Sequence, residues 1–213
     1  MTVVPEGKNL PHLPQPDSDG VNITPVLFAA ARGDETAWRQ IVDLYARRVF
    51  ALAQARLRNP DVAEEIAQSV FATLAAKLVG GGYTERGKFE PWLFRIASNR
   101  IRDEQRRNRR HPTTHDSERI ARTENSEEPA SAPPEQVRRL RWAMGQLGDS
   151  DREVIELRHH GQMSFGQMAE VLGEPLGTLL ARHHRALAKL KALMDQSMQS
   201  DSSGVRAGGR LEA

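Results

Sequence analysis

Residues Phe89–Arg110, FEPWLFRIASNRIRDEQRRNRR, leave little choice of structure. Pro91 suits a first helical turn, where its missing N–H has no intrahelical duty. Trp92, Leu93, Ile96, Ala97 and Ile101 recur at three- and four-residue spacing, which predicts one apolar face of a helix. Around that face stand Arg95, Arg100, Arg102, Arg106, Arg107, Arg109 and Arg110. From Lys88 to Arg110 there are eight basic and three acidic residues, a net of +5, while the whole chain carries only +2. A helix built this way can dock its apolar face on a domain and hold a phosphate backbone with the other.

The remaining 190 or so residues must supply that domain. Hydrophobic residues make up 38% of the chain and aromatics 5%, which predicts small helical domains with thin cores. A modest net charge with one dense basic cluster points to an anionic partner held at one face, such as nucleic acid. There is no cysteine, so disulfides, thiolate zinc sites and cysteine nucleophiles are excluded. No apolar run approaches the ~20 residues of a membrane span. The N-terminal stretch carries four prolines and no apolar core, unlike a secretion signal. The expectation is a cytoplasmic protein without membrane insertion.

Punctuation along the chain divides it. Residues 1–23 lack periodicity and read as a disordered extension. Thr24 with Pro25 predicts a helix start. After Gly33-Asp34, Trp38, Ile41, Tyr45, Val49 and Leu52 predict a helix from about Glu35 to Leu57, stopped by Asn59-Pro60. Asp61 is expected to cap a third helix over Val62–Leu78, ended by Gly80-Gly81-Gly82. A polar loop, Tyr83–Lys88, feeds the basic helix. Residues 24–110 thus form a first domain. Residues 111–134, with two Arg against five acids, read as a flexible linker.

A second domain spans residues 135–194. A helix to about Leu147 precedes Ser150-x-x-Glu153, which predicts a capping box, and Ser164-x-x-Gln167 predicts another. A short helix Phe165–Leu172, Gly173 at a left-handed cap and a longer basic helix describe a helix-turn-helix. Residues 195–213, rich in Gly and Ser, read as a loose tail. The fold class is all-α: two small helical domains joined by a flexible linker, the second containing the helix-turn-helix.

Four segments, in order, carry a resemblance. ARGDETAWRQIVDLYARRVFALA, DVAEEIAQSVF, FEPWLFRIASNRIRDEQRR and LGDSDREVIELRHHGQMSFGQMAEVLGEPLGTLLARHHRAL resemble the extracytoplasmic-function sigma factors of bacterial RNA polymerase. The resemblance implies a factor that binds core polymerase, directs it to promoters and helps open the DNA, without cofactor or metal. It implies that Asp61, Glu64, Glu65, Gln68 and Ser69 dock on the clamp of the largest subunit. The flap of the second-largest subunit is the implied second contact. Tyr83, Lys88, Asn99, Arg102, Asp103, Arg106 and Arg107 fall on positions for the −10 element. Thr178, Leu180, Ala181, Arg182, His184, Arg185 and Lys189 fall on positions for the −35 element. There this chain departs from the family: the positions of Leu180 and Ala181 usually carry polar or basic side chains. Neither can donate a hydrogen bond, though both can touch a thymine methyl. An inhibitory anti-sigma protein is a further implied partner.

Two rival readings differ in what they require. A stand-alone helix-turn-helix regulator would bind duplex DNA without polymerase. A nucleic-acid enzyme would need a catalytic site, and the Asp61–Glu65 acids lack a partner base, metal ligand or phosphate loop. The pairs His159-His160 and His183-His184 chelate poorly, because helical neighbours point about 100° apart.

Overall fold

The computed structural model describes residues 23–110 and 134–207, with side chains to Ser197. The expected disordered extension and linker lie outside the described residues. All described regular structure is helical.

The first four helices are α1 (Ile23–Ala31), α2 (Glu35–Leu57), α3 (Pro60–Val79) and α4 (Phe89–Arg110). Thr24 lies inside α1 rather than capping it. Asp34 caps α2 by accepting the Ala37 amide at 2.9 Å. The cap of α3 is Asn59 and not Asp61: its side-chain oxygen accepts the amides of Asp61 and Val62 at 3.0 and 3.3 Å. Pro60 then falls in the first turn, and Asp61 is freed for the surface. Gly81, at φ +65°, turns the chain out of α3 as only a residue without Cβ does readily.

The second group comprises α5 (Glu135–Gly145), α6 (Asp149–His159), α7 (Phe165–Leu172) and α8 (Leu176–Ala207). The Ser164–Gln167 capping box of α7 forms as expected, and Gly173 closes it at φ +70°. The Ser150–Glu153 box does not form. Helix α6 starts two residues early, with Gly148 at the cap and no side-chain capping bond. Glu153 is drawn instead to Arg102 of α4, at 2.9 Å. A charge-assisted bond to a guanidinium outcompetes a neutral cap. Helix α8 also runs past Met194, where a loose tail was expected. No Pro or Gly falls between Asp195 and Ser203, and each added residue closes one more helical hydrogen bond.

Packing joins the two groups. One buried cluster combines Ile41, Tyr45, Leu52, Leu74, Leu93, Phe94 and Ile101 with Val154, Leu157, Met163, Met168 and Leu179. A small separate cluster, Ala143, Leu147, Ile155, Ala186 and Leu190, ties α5 to α6 and α8. Small helical units bury too little surface alone. Here the second group completes its core on the first.

Candidate nucleic-acid and polymerase interface

Helix α3 presents its polar face outward. Asp61, Glu64, Glu65 and Gln68 are exposed and Ser69 is half-buried. The opposite face, with Ala63, Ala67, Val70 and Leu74, is in the core. Gln68 donates to Glu64 at 3.2 Å, a local bond that leaves the acids facing solvent.

The loop before α4 forms one wall of an open cavity of about 360 Å³. It is lined by Tyr83, Thr84, Arg86, Lys88, Trp92 and Arg95, with Glu170 of α7 on the far side. Tyr83 and Trp92 lie with ring centroids 4.3 Å apart at 34°. Phe89 holds Tyr83 edge-on from the core side at 5.9 Å. The Tyr83 hydroxyl donates to Glu85 at 2.7 Å. Burial, reinforced by Glu85, raises its pKa well above the phenol range, so it remains a neutral donor. Glu85 also accepts the amides of Gly87 and Lys88, which pins the loop. The cavity joins aromatic faces to three cations, the combination that holds unstacked bases and their backbone.

From the cavity the basic face of α4 continues, and most of its cations are paired. Lys88 meets the Glu170 carboxylate at 3.1 Å, and Arg95 donates to the Glu170 carbonyl. Arg102 donates to Asn99 at 3.1 Å and to Glu153 at 2.9 Å. Arg106 pairs with Asp103, Arg107 with Glu104 at 3.0 Å, and Arg109 with Asp149 at 2.9 Å. Of these partners Glu170, Glu153 and Asp149 belong to the second group of helices. Three carboxylates therefore sit against the cations expected to meet DNA.

Behind this face lies a pair that periodicity alone does not suggest. Arg56 of α2 meets Glu156 of α6 at 3.2 Å, with side chains 6% and 2% exposed. Burial pushes the Glu156 carboxyl up to about 7, against the opposing pull of Arg56 and Arg152. Arg48 adds a second link: it holds Glu90 at 2.9 and 3.2 Å and donates to the Gly161 carbonyl at 2.8 and 3.1 Å. Gln167 reaches the same Glu90 at 2.7 Å. The sequence signal for Glu156 is a charge inside the apolar run Val154-Ile155-Glu156-Leu157, and for Arg56 its place one turn after Leu52 on the core face.

Helix α8 carries the expected −35 residues on its first four turns. Thr178, Leu180, Ala181, His184, Arg185 and Lys189 are exposed. Arg182 differs. Both its terminal nitrogens reach Glu174, at 2.8 and 2.7 Å, and its side chain is 19% exposed. It braces the turn between α7 and α8. His183 is also turned inward, stacked on His159 at 5.9 Å and edge-on to Phe165 at 5.2 Å. Burial lowers the pKa of both histidines, which keeps them neutral and apolar in character. Among the described residues no cluster of three metal-ligating side chains occurs, and no helix is long and apolar enough to cross a membrane.

An arginine-rich helix in the first group and a helix-turn-helix in the second occur in this order, and comparison with known proteins says what class of protein they define. The family model for sigma-70 region 2 matches residues 41–111, and that for sigma-70 region 4 matches residues 143–192. The chain is 33% identical over 178 residues to the RNA polymerase sigma factor NccH of Alcaligenes xylosoxydans xylosoxydans, covering 79% of this chain and 92% of that one. It is 28% identical over 172 residues to the ECF RNA polymerase sigma factor SigW of Bacillus subtilis, covering 75% and 90%. The solved structure of CnrH in complex with the cytosolic domain of CnrY has a TM-score of 0.61 at 28% identity, covering 82% of this chain and 99% of that one. The chain belongs to the extracytoplasmic-function sigma factors of bacterial RNA polymerase. As such it is a promoter-specificity factor and not an enzyme.

Proposed function

We propose that this sigma factor works through three surfaces, each assigned to particular residues. The acidic face of α3, with Asp61, Glu64, Glu65, Gln68 and Ser69, docks on the clamp of core polymerase. The cavity beside Tyr83 and Trp92 takes an unstacked base of the −10 element. Lys88, Asn99, Arg102, Asp103, Arg106 and Arg107 guide the adjoining strand. The outward face of α8 meets the −35 duplex, with Thr178 and Lys189 at phosphates and Arg185 and His184 toward bases. Residues 24–110 and 135–194 are the working domains, and residues 111–134 set the tether between them. The factor acts in the cytoplasm, where core polymerase and promoter DNA are its partners. Helix α8 contacts the flap of the second-largest subunit from its far side, and an anti-sigma protein covers the same surfaces when the factor is silent.

The observation that carries this reading is the cavity of about 360 Å³ lined by the mutually tilted rings of Tyr83 and Trp92 and by Arg86, Lys88 and Arg95, at the head of an arginine-rich helix. Trp92 belongs to the surface as well as to the core, which its helical spacing with Leu93 and Ile96 conceals.

Gel shifts with and without core polymerase, followed by in-vitro transcription of genomic fragments, provide the test. Binding and transcript are expected only when core polymerase is present. Tight duplex binding by the free chain, or no association with core polymerase, overturns the proposal.

A further inference from the structure

The face that α8 turns to a DNA groove is poorer in hydrogen-bonding groups than the sequence suggests. Arg182 is committed to Glu174, and His183 to His159 and Phe165. What remains outward on the first three turns is Leu176, Gly177, Thr178, Leu180, Ala181, His184 and Arg185. Leu180 is 42% exposed while its neighbour Leu179 is wholly buried, so the core position is already filled and folding gains little from Leu180. Ala181 has no side chain beyond Cβ, which lets the helix backbone come close to base edges. Leu180 and Ala181 point about 100° apart with a rise of about 1.5 Å, so they face adjacent base steps.

A hydrocarbon side chain in the major groove finds one base feature that suits it, the 5-methyl group of thymine. The other base edges present donors and acceptors that it would strip of water without replacing a bond. Arg185 lies one helical turn beyond Ala181, free to meet guanine O6 and N7.

We infer that Leu180 and Ala181 are specificity-determining residues that read thymine methyls at two adjacent −35 positions, with Arg185 as the charged base reader beside them. The inference rests on the sigma-factor reading above and deepens it by naming the base chemistry. Burying one methyl group corresponds to about a fourfold change in binding. Two such contacts give about an order of magnitude in promoter preference.

The test uses full-length protein with core polymerase on a promoter recovered from genomic fragments by in-vitro transcription. Each −35 thymine is replaced in turn by deoxyuracil, which removes the methyl and keeps the pairing. Open-complex formation and transcript yield at limiting holoenzyme are measured for wild type and for Leu180→Ala. The expected result is a loss of about fourfold at one or two adjacent thymines with wild type, falling below about twofold at one of them with Leu180→Ala. Wild-type holoenzyme indifferent to uracil at every −35 position overturns the inference alone. So does an equal loss with wild type and variant, because the methyl is then sensed elsewhere. Failure of every template, thymine templates included, overturns the sigma-factor reading and this inference with it. Leu180→Met, similar in volume and apolar, is the folding-neutral control and is expected to retain uracil sensitivity.

Discussion

The two helices proposed to face DNA are held in opposite ways. Three cations on and just before α4 are engaged by carboxylates of the second group: Lys88 by Glu170, Arg102 by Glu153, Arg109 by Asp149. Among the described residues Thr178, Leu180, Ala181, His184, Arg185 and Lys189 of α8 are exposed, and the inward-turned Arg182 is bound locally to Glu174. The contrast follows from where each group finds its core. The second group completes its burial on α2 and α4, with Leu157, Met163 and Met168 joining the cluster around Phe94. Docking there brings its acids over the basic face and leaves α8 on the far side. Two of the cations proposed to guide the single strand, Lys88 and Arg102, are thus ion-paired with the second group in the free chain, while the residues of α8 proposed to read the duplex are exposed.

Several measurements would break or sharpen that contrast. Phe94 is fully buried at the centre of the shared cluster. Phe94→Ala is expected to cost about 3–5 kcal/mol and to lower the stability of both helical groups in one denaturant transition. Two separate transitions, only one of them shifted, would show that the cores are independent. Arg56→Leu leaves Glu156 buried opposite a hydrocarbon, and a loss of about 3 kcal/mol is expected in the same assay.

Glu156 also gives the docked state a pH dependence. Its folded pKa, about 7, lies above the ordinary carboxyl value of 4.5, so the folded chain keeps a proton that the unfolded chain has lost. The stability this contributes is present at low pH and is lost as pH rises through 7. His159, His160 and His183 have lowered pKa values and act in the opposite sense below neutrality. Comparison with Glu156→Gln cancels them. Wild type is expected to lose about 2 kcal/mol relative to Glu156→Gln between pH 5 and pH 8, and thermal or urea melts would read it.

Smaller effects belong to the partly exposed pairs. Glu153→Ala frees Arg102 from the second group, at a cost below about 1 kcal/mol in stability. Single-stranded DNA affinity of the free chain is expected to rise about threefold at low salt, an effect that vanishes with added salt. Fluorescence anisotropy with a labelled oligonucleotide would register it. Asp149→Ala, at an ion pair with both side chains more than half exposed, is expected to change stability by no more than about 0.5 kcal/mol.

Much of the architecture was legible because it is written in short-range pattern. Helix α4 was readable from its apolar spacing and Pro91, and α7 from its capping box and Gly173. Errors fell where a long-range partner competed with a local rule. Glu153 reads as a capping residue until Arg102 is brought beside it. Arg182, expected at a −35 position, is paired with Glu174, eight residues away across the turn, a contact that helical spacing does not reveal.

By itself the sequence determined which segments are helical, which face of each is apolar, where the charge is concentrated and which family the pattern resembles. These are properties of residues three or four apart, and backbone geometry converts spacing directly into a face. Only the tertiary structure decided which cations are spent and which are free. Pairings such as Arg56–Glu156, 100 residues apart, depend on how two incomplete cores meet, and helical periodicity holds no record of that encounter.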